Sequence, residues 1–372
     1  MAEGSGQVAG GHAVTVGSAT VDIITIIASR DIERVTMANA TASFLLLEEG
    51  RKIEAEGITI HPGGGAANTA VCFARLGIPA APLVKIGRDL NGAKVLESFA
   101  REGLSDRLVR YTDELGTGIT VMIASHDRNA AVFTFRGANT LIRAGDIPAD
   151  AFAGASIVHV AGLSNESADQ HPDIVRRARK AGAFVSNNPG IRQLTARGEA
   201  FFAALSDIDM LSINRIEAEA MLPGLMRHGG PGPCRDHLPD NPPQLMRRGL
   251  VGSGFDMPLE AFCRAVHRLG PRYVTVTDGT DGAYLSDAGE LWHCPPLKVK
   301  VAGTVGAGDA FSATLGAWLM EGRGAESALR AAAANAAAVV AAIDAQSGLL
   351  RRTELTRWIE AAPPDFVARR LV

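Results

Sequence analysis

The sequence predicts an α/β protein, with a mostly parallel central sheet, helices on both faces, and a smaller separate β-sheet. Three observations predict it. From 155 to 279, short apolar strand patterns alternate with helical ones. Two other stretches, 23–60 and 111–135, are β-branched and apolar and do not alternate with helices. Glycine-rich turns at 61–66 and 301–309 lead into apolar runs of helical spacing.

The elements follow in order. HAVTVGSATV (12–21) reads as a buried strand ending at Asp22, and apolar β-branched segments follow at 23–27 and 53–60, with FLLLEEG between them. HPGGG makes a tight turn, and 66–76 continues as a helix that Gly77 closes. PAAPLVKIG (79–87) is the next strand and NGAKVLESFAREG a helix with a glycine stop. TGITVMIA and AVFTF pair as a hairpin around HDRN (126–129). ASIVHVAGL, AFVSNN, DMLSIN and YVTVTDG are strands; HPDIVRRARKAG, RIEAEAML and PLEAFCRAVHRLG are helices. The region 222–256, centred on PGPCRDHLPDNPP, is rich in proline and glycine and reads as a surface insertion loop.

Composition removes several functions. The chain has 372 residues, 47% hydrophobic and 21% charged, with a formal net charge of −3. That is enough for a full core, and no basic field is available to hold nucleic acid or an anionic membrane. Cys72, Cys234, Cys263 and Cys294 form no C-x-x-C pair and the nine histidines are scattered. This argues against zinc and a disulfide framework and for reduced thiols in a cytoplasmic protein. The start lacks a signal-peptide pattern, and the alanine-rich run 331–343 is too short to span a bilayer.

Chemistry concentrates in four places. VAGTVGAGDAF (301–311) strips side chains from the backbone just before the helical run 310–319. Bare amides at a helix N-terminus form an anion site, and Asp309 at its mouth can take a proton from an attacking hydroxyl. The competing reading is that Asp309 only caps the helix. In HPGGGAANTA, Gly63, Gly64 and Gly65 permit close approach of a ligand and Asn68 offers donor and acceptor together, or caps the turn locally. In SINRIEAEA, Asn214 and Glu217 stand three apart at a strand–helix junction, suited to a metal–phosphate complex or to a capping pattern on a solvated face. In VTVTDGTDGAYL, Thr277, Gly279 and Gly282 form a turn that reads by itself as a hairpin. GRDLNGAK (87–94) has P-loop spacing but no Ser or Thr after the Lys, and no G-x-G-x-x-G follows the first strand.

Taken together and in this order, the pieces resemble the PfkB family of carbohydrate and nucleoside kinases, the ribokinase-like superfamily. GGGAANTAVCFARLG is similar to the family's first signature and VAGTVGAGDAFSATL to its second, with RGAN (136–139), N-x-x-E and T-x-G-x-x-G between them. The resemblance covers about 13–350. It implies a three-layer α/β/α core formed by 12–22, 61–110 and 136–372, with a small β lid formed by 23–60 and 111–135 and the insertion 222–256 within the core. It implies transfer of the ATP γ-phosphate to a hydroxyl of a sugar or sugar-like molecule. Asp309 matches the catalytic base and Gly306, Ala307 and Gly308 the anion hole. Asp22, Gly64, Gly65 and Asn68 match positions that hold substrate hydroxyls. Asn214 and Glu217 match the element that organises magnesium and the phosphates, with Glu217 reaching the metal through water. Thr277, Gly279 and Gly282 match the nucleotide turn, and Asn335 the adenine pocket. Lid strands in the family often pair between subunits, which implies a homodimer through the lid.

Two departures modify the expectation. Gly303 and Thr304 stand where the second signature usually has Asp and Thr. That acid helps hold an activating potassium ion in ribokinase-like members, so the resemblance does not carry monovalent-cation activation to this chain. Gly65 and Ala66 stand where phosphosugar kinases and ribokinases often carry a Lys, which argues against a phosphorylated acceptor. RGAN and the low aromatic content, 5%, favour a sugar over a nucleoside. A nucleoside kinase and a non-catalytic relative on the same fold remain the alternatives, and the missing glycine fingerprint disfavours a dinucleotide oxidoreductase.

Overall fold

HAVTV at His12–Val16 sends Val14 and Val16 into one buried cluster and Ala13 into another. Successive side chains on a strand point to opposite faces, so a strand buried at every position after His12 needs cover on both sides. The cover is helical. On one face lie the helices His171–Lys180, Arg215–Arg227 and Leu259–Arg268, contributing Ile174, Met221 and Phe262. On the other lie Gly65–Arg75, Ala307–Met320 and Ala325–Val340, contributing Phe73, Leu315 and Leu329. The result is the three-layer α/β/α arrangement expected from the sequence. The computed structural model describes residues 11–28, 30, 33–36, 43–46, 49–50, 52–125, 130–234 and 238–372; the expected hairpin tip 126–129 lies outside the described residues.

The central sheet has nine strands. In spatial order they are Arg369–Arg370, Glu290–Cys294, Ala283–Asp287, Tyr273–Thr277, Met210–Asn214, Phe184–Asn187, Ala155–Val160, His12–Val16 and Ala80–Leu83. The pairings from Tyr273–Thr277 to Ala80–Leu83 are parallel, and the three edge pairings at the other end are antiparallel. A second sheet of four strands has the order Ala130–Phe135, Gly118–Ser125, Thr20–Ile27, Ala55–Gly63.

Four elements differ from the sequence reading. The expected strand 12–21 breaks after Val16. Gly17 lies against Ala161, where a Cβ would come to 3.0 Å from the alanine methyl, and the Ser18 carbonyl turns away to accept the Ala66 and Ala67 amides. Asn139 grips the next residue, accepting from the Ala19 amide and donating to its carbonyl, both at 2.9 Å. Asp22 therefore sits inside Thr20–Ile27, a strand of the second sheet, and the expected boundary at 22/23 falls within that strand.

The stretch 79–87 also divides, because Lys85–Gly87 pairs with Arg110–Thr112 instead of continuing beside His12–Val16. The helix expected over 215–222 runs to Arg227 through Pro223, held by close packing: a Cβ on Gly224 would lie 2.0 Å from the Phe202 ring. Finally, 222–256 is not a plain surface loop. It contains the helix Gln244–Arg248 and the hairpin Leu250–Gly252/Phe255–Met257, and Leu245 and Leu250 are fully buried in the core.

Candidate active site

The helix Ala307–Met320 begins after Gly306, whose φ of 81° is left-handed. Two different demands strip this loop of side chains. A Cβ on Gly306 would lie 2.5 Å from the Ala345 methyl, so the chain itself closes on that glycine. A Cβ on Gly308 would meet nothing within 4 Å, so space remains open in front of the helix's first turn. No side chain caps this N-terminus. Its first amides and the positive end of the helix dipole are left for an anion.

Asp309 is the third residue of that helix, not its cap, which corrects the capping alternative. Its Oδ2 accepts a 2.8 Å hydrogen bond from Asn68 Nδ2. Asn68 is likewise inside its helix, Gly65–Arg75, and does not cap it. The Asn68 amide is fixed from both ends, because its Oδ1 accepts from Gln346 Nε2 at 3.0 Å. Burial pushes the Asp309 carboxyl up to about 6, opposed by the Asn68 hydrogen bond and reinforced by the charge of Asp22.

Asp22 faces the same space. Burial raises its pKa, while hydrogen bonds from Thr20 and Thr120 and the charge of His61 lower it. Asp344 lies behind His61, with Nδ1 to Oδ2 at 3.5 Å. A cavity of about 230 Å³ collects these groups, lined by Asp22, Gly65, Asn68, Thr120, Arg136 and Asp309 among others. That is below the range of about 300–1,000 Å³ usual for drug-sized ligands and leaves room for a small molecule.

The glycine cluster works differently from the expectation. Gly64, at φ 97°, is bare because Ser18 O would lie 2.6 Å from its Cβ, and Gly63 because Asp22 Oδ2 would lie 2.0 Å away. The close approach at both is made by the protein's own groups. Gly64 and Gly65 both line the cavity, and a Cβ on Gly65 would lie 2.9 Å from the Ala161 methyl and 3.5 Å from Asp309 Oδ1.

On the other side of Asp309, Asn214 and Glu217 form a reciprocal capping box. Asn214 Oδ1 accepts from the Glu217 amide and Glu217 Oε2 from the Asn214 amide, both at 2.9 Å. The capping reading is thus realised, but the face is not simply solvated. Burial first, and then the charge of Asp309, push the Glu217 carboxyl up to about 7. Its second oxygen has no protein partner among the described residues.

Asn214 pairs in register with Thr277, which pairs in turn with Ala283 across the expected hairpin. Gly279, at φ 51°, faces open space, whereas a Cβ on Gly282 would lie 2.2 Å from Cys294 O. The 222–256 region docks here. The Gln244 and Leu245 amides donate to the Asp281 carboxylate, and Arg248 pairs with Asp278.

Asn335, matched by the resemblance to the adenine pocket, has its side chain engaged within the protein. Fully buried on the inward face of Ala325–Val340, it donates to Thr314 and Cys72 and accepts from the Leu350 amide. The P-loop-like stretch is a capped helix start, with Asp89 accepting from Gly92 and from Thr117. Gln346, Ser18 and Asp344 were not singled out from the sequence. They lie in no motif, and only the folded chain brings them to the site.

Among the described residues no group of three His, Cys, Asp or Glu side chains could hold a metal ion, and no helix is long and apolar enough to cross a membrane. A magnesium ion carried on nucleotide phosphates needs only one or two carboxylates and water. The free oxygen of Glu217 and the open space before Gly308 fit such a complex.

A family model described as pfkB family carbohydrate kinase matches residues 31–225 and 258–352. The chain is 29% identical to an ATP-dependent ribose-1-phosphate kinase of Halopiger xanaduensis, covering 70% of this chain and 74% of the relative. It is 25% identical to the 2-dehydro-3-deoxygluconokinase of Bacillus subtilis over 89% of this chain and 96% of the relative. The fold is similar to that of Arabidopsis thaliana ribokinase complexed with ribose and ATP, with a TM-score of 0.68, 23% identity, and coverage of 94% of this chain and 99% of that one.

Proposed function

The chain belongs to the pfkB family of carbohydrate kinases, and we propose that it transfers the γ-phosphoryl group of magnesium-bound ATP to a hydroxyl of a monosaccharide or sugar-like acceptor, with Asp309 as general base. The observation that carries this reading is the placement of Asp309. Its carboxylate is held by Asn68 at 2.8 Å, opens on the cavity and stands at the uncapped first turn of Ala307–Met320.

The residues divide the work. Asp22 and Asn68 hold acceptor hydroxyls, and Asp309 takes the proton of the attacking one. The amides of Gly306, Ala307 and Gly308, with the helix dipole, hold the oxygens of the transferring group, where positioning and charge supply most of the catalysis. Glu217 orients the metal through water; Thr277 and Gly279 flank the nucleotide. ATP supplies the phosphoryl group and magnesium neutralises its charge. The four-stranded sheet acts as a lid over the acceptor. Residues lining the cavity include no aromatic ring, which favours a sugar over a nucleoside base. Exposed Ile58, Ile60, Phe133 and Phe135 on that sheet support a homodimer through the lid.

The test is ADP release with Mg-ATP across pentoses, hexoses, sugar acids, phosphosugars and nucleosides, beside Asp309→Asn. Turnover with a sugar, lost at least about 10³-fold in the variant while ATP still binds, supports the reading. Unchanged turnover in Asp309→Asn removes Asp309 from its role.

A further inference from the structure

Three consecutive residues after the helix Ala325–Val340 reach three separate parts of the site. Asp344 faces His61, a residue of the second sheet, with Nδ1 to Oδ2 at 3.5 Å. Ala345 closes on the anion loop, where a Cβ on Gly306 would lie 2.5 Å from its methyl. Gln346 donates through Nε2 to Asn68 Oδ1 at 3.0 Å, behind the bond from Asn68 to Asp309. The run is itself held from outside. Arg75, on the helix that carries Asn68, donates through Nη1 to the carbonyls of Gln346 and Leu349.

Asp344 anchors this run, and its two oxygens do different work. Oδ1 accepts the amides of Gln346 at 2.9 Å and Ser347 at 2.8 Å, which fixes the turn. An asparagine would serve as well there. Oδ2 faces His61, and only a carboxylate places charge against that ring. Asp344 is 4% exposed, so its charge is desolvated at a cost that capping alone does not require. His61 pairs in register with Asp22 on the adjacent antiparallel strand, so the two side chains share a face of the second sheet. Nε2 of His61 is buried without a hydrogen-bond partner among the described residues, so the contact through Nδ1 is what orients the ring.

We propose that Asp344 is a positioning residue for phosphoryl transfer. Its one carboxylate sets His61, and with it Asp22, on the lid side, and Gln346, and with it Asn68 and Asp309, on the core side. The role in transfer rests on the kinase reading above; the coupling of His61 to Asp344 does not. Asp22 and Asp309 belong to different bodies, the second sheet and a helix over the central one. An acceptor that bonds to both needs the distance between them fixed, because a displacement of about 1 Å at the reacting atoms costs about 100-fold in rate. Asp344, Gln346 and His61 do not line the acceptor cavity, so Asp344 acts through the groups it holds and not on the acceptor directly.

The test is kinetic constants and melting temperatures for the wild type, Asp344→Asn, Asp344→Ala, His61→Asn and the double variant His61→Asn/Asp344→Asn. The substrates are Mg-ATP and D-ribose, or the panel sugar that turns over fastest in its place. Asp344→Asn keeps an oxygen for the two amides and removes the charge from His61. It should raise KM for the acceptor about tenfold, with kcat within about threefold and KM for ATP unchanged. His61→Asn should do the same, and the double variant should be no worse than either single one. Asp344→Ala also frees the turn, so kcat should fall about tenfold or more besides, and the asparagine restores kcat but not KM. If the alanine variant does not fold, the other three decide. An acceptor KM within about twofold of the wild type in Asp344→Asn, or additive losses in the double variant, overturns the proposal. So does a lowered melting temperature with unchanged kinetic constants in Asp344→Ala, which leaves a turn cap. A wild type that binds Mg-ATP but turns over no sugar of the panel sinks the kinase reading instead. The coupling is then read from melting temperatures alone: non-additive single and double variants keep it, and additive ones remove it.

Discussion

Asn68 Nδ2 lies 2.8 Å from Asp309 Oδ2, a hydrogen bond that ties the first turns of two helices 241 positions apart in sequence. Gln346 fixes the other end of the Asn68 amide, so the amide presents its NH2 and not its oxygen to the carboxylate. That polarity favours the ionised form of Asp309, the form a general base requires.

The first prediction follows from this bond. Burial sets the Asp309 carboxyl at about 6. The rate should therefore be full above that value and fall as pH drops through it. Asn68→Ala removes a hydrogen bond that lowers the pKa, so the acid limb should move toward neutral pH. A bond worth about 1 kcal/mol corresponds to a shift of about 0.7 pH unit. The pH profile of kcat/KM, which reports the free enzyme, checks it for both proteins. An acid limb that stays in place, or moves down, contradicts the arrangement.

Asp309 should also act against stability at neutral pH. Its folded pKa lies above its unfolded one, so the native state binds more protons between about 4 and 6. Stability from this group is greatest below the lower value and is lost as pH rises through the window. Asp309→Asn should therefore melt at the same temperature as the wild type or higher at pH 7.5. The shift from 3.8 to about 6 bounds the gain at about 3 kcal/mol, and the side of the carboxylate open to the cavity reduces it. Thermal unfolding at pH 5 and 7.5 measures this, with the difference between variant and wild type smaller at pH 5.

Glu217 caps its helix and, in the proposed function, also orients the metal, and a substitution can separate the two. Glu217→Gln keeps the capping box, because glutamine accepts the Asn214 amide equally well. The fold should hold, but the carboxylate that faces Asp309 is gone. We expect the magnesium concentration for half-maximal rate to rise about 10- to 100-fold, the usual cost of losing an outer contact to a metal. Asn214→Ala should instead lose about 1 kcal/mol of stability with the cap. Magnesium titrations and melting curves of the two variants decide between these roles, and an unchanged magnesium requirement in Glu217→Gln leaves the residue as a cap alone.

How much of this was legible in the sequence depended on the range of the forces involved. The parallel core was legible because alternation and helical spacing are local, as in HAVTV or PLEAFCRAVHRLG. The helix N-terminus at Gly306 was legible because bare backbone is itself a signal. What escaped was set by contacts distant in sequence. Gly17 ends a strand only because Ala161 comes against it, and Gly63 is bare only because Asp22 lies on it. Asn335 sits in an alanine-rich helix, where the family resemblance implied an adenine pocket; its partners Thr314, Cys72 and Leu350 are visible only in the fold. The 222–256 region looked like a loop because proline and glycine dominate it, yet Leu245 and Leu250 anchor it.

Gly303 predicts indifference to potassium. It supplies no carboxylate, and its Cβ position lies 3.1 Å from both Ala342 O and Ile343 O. The nearby acid, Asp344, is engaged elsewhere: it accepts the Gln346 and Ser347 amides and faces His61. Exchange of potassium for a bulky organic cation at constant ionic strength should leave kcat within about twofold, less than 0.5 kcal/mol of barrier. A larger dependence would mean that carbonyl oxygens alone hold the ion.

The last prediction separates the two reasons for bare backbone in the first glycine cluster. If Gly63 serves a ligand, alanine there should harm binding by occupying ligand space. The structure gives another cause: the new methyl would lie 2.0 Å from Asp22 Oδ2 and 2.6 Å from its Cγ. No real contact is that short, so the carboxylate must move. Thr20 Oγ1, which donates to Asp22 Oδ1 at 3.0 Å, would lose its partner with it. Gly63→Ala should therefore raise KM for the acceptor by about tenfold or more while KM for ATP stays near its wild-type value, and destabilise the fold by about 1–3 kcal/mol through overpacking. The effect should disappear in the background of Asp22→Ala, where there is no carboxylate to displace. Steady-state kinetics on the two single variants and the double variant closes the cycle. Additive losses would mean that Gly63 touches the acceptor directly; a double variant no worse than Asp22→Ala places the whole effect on the carboxylate.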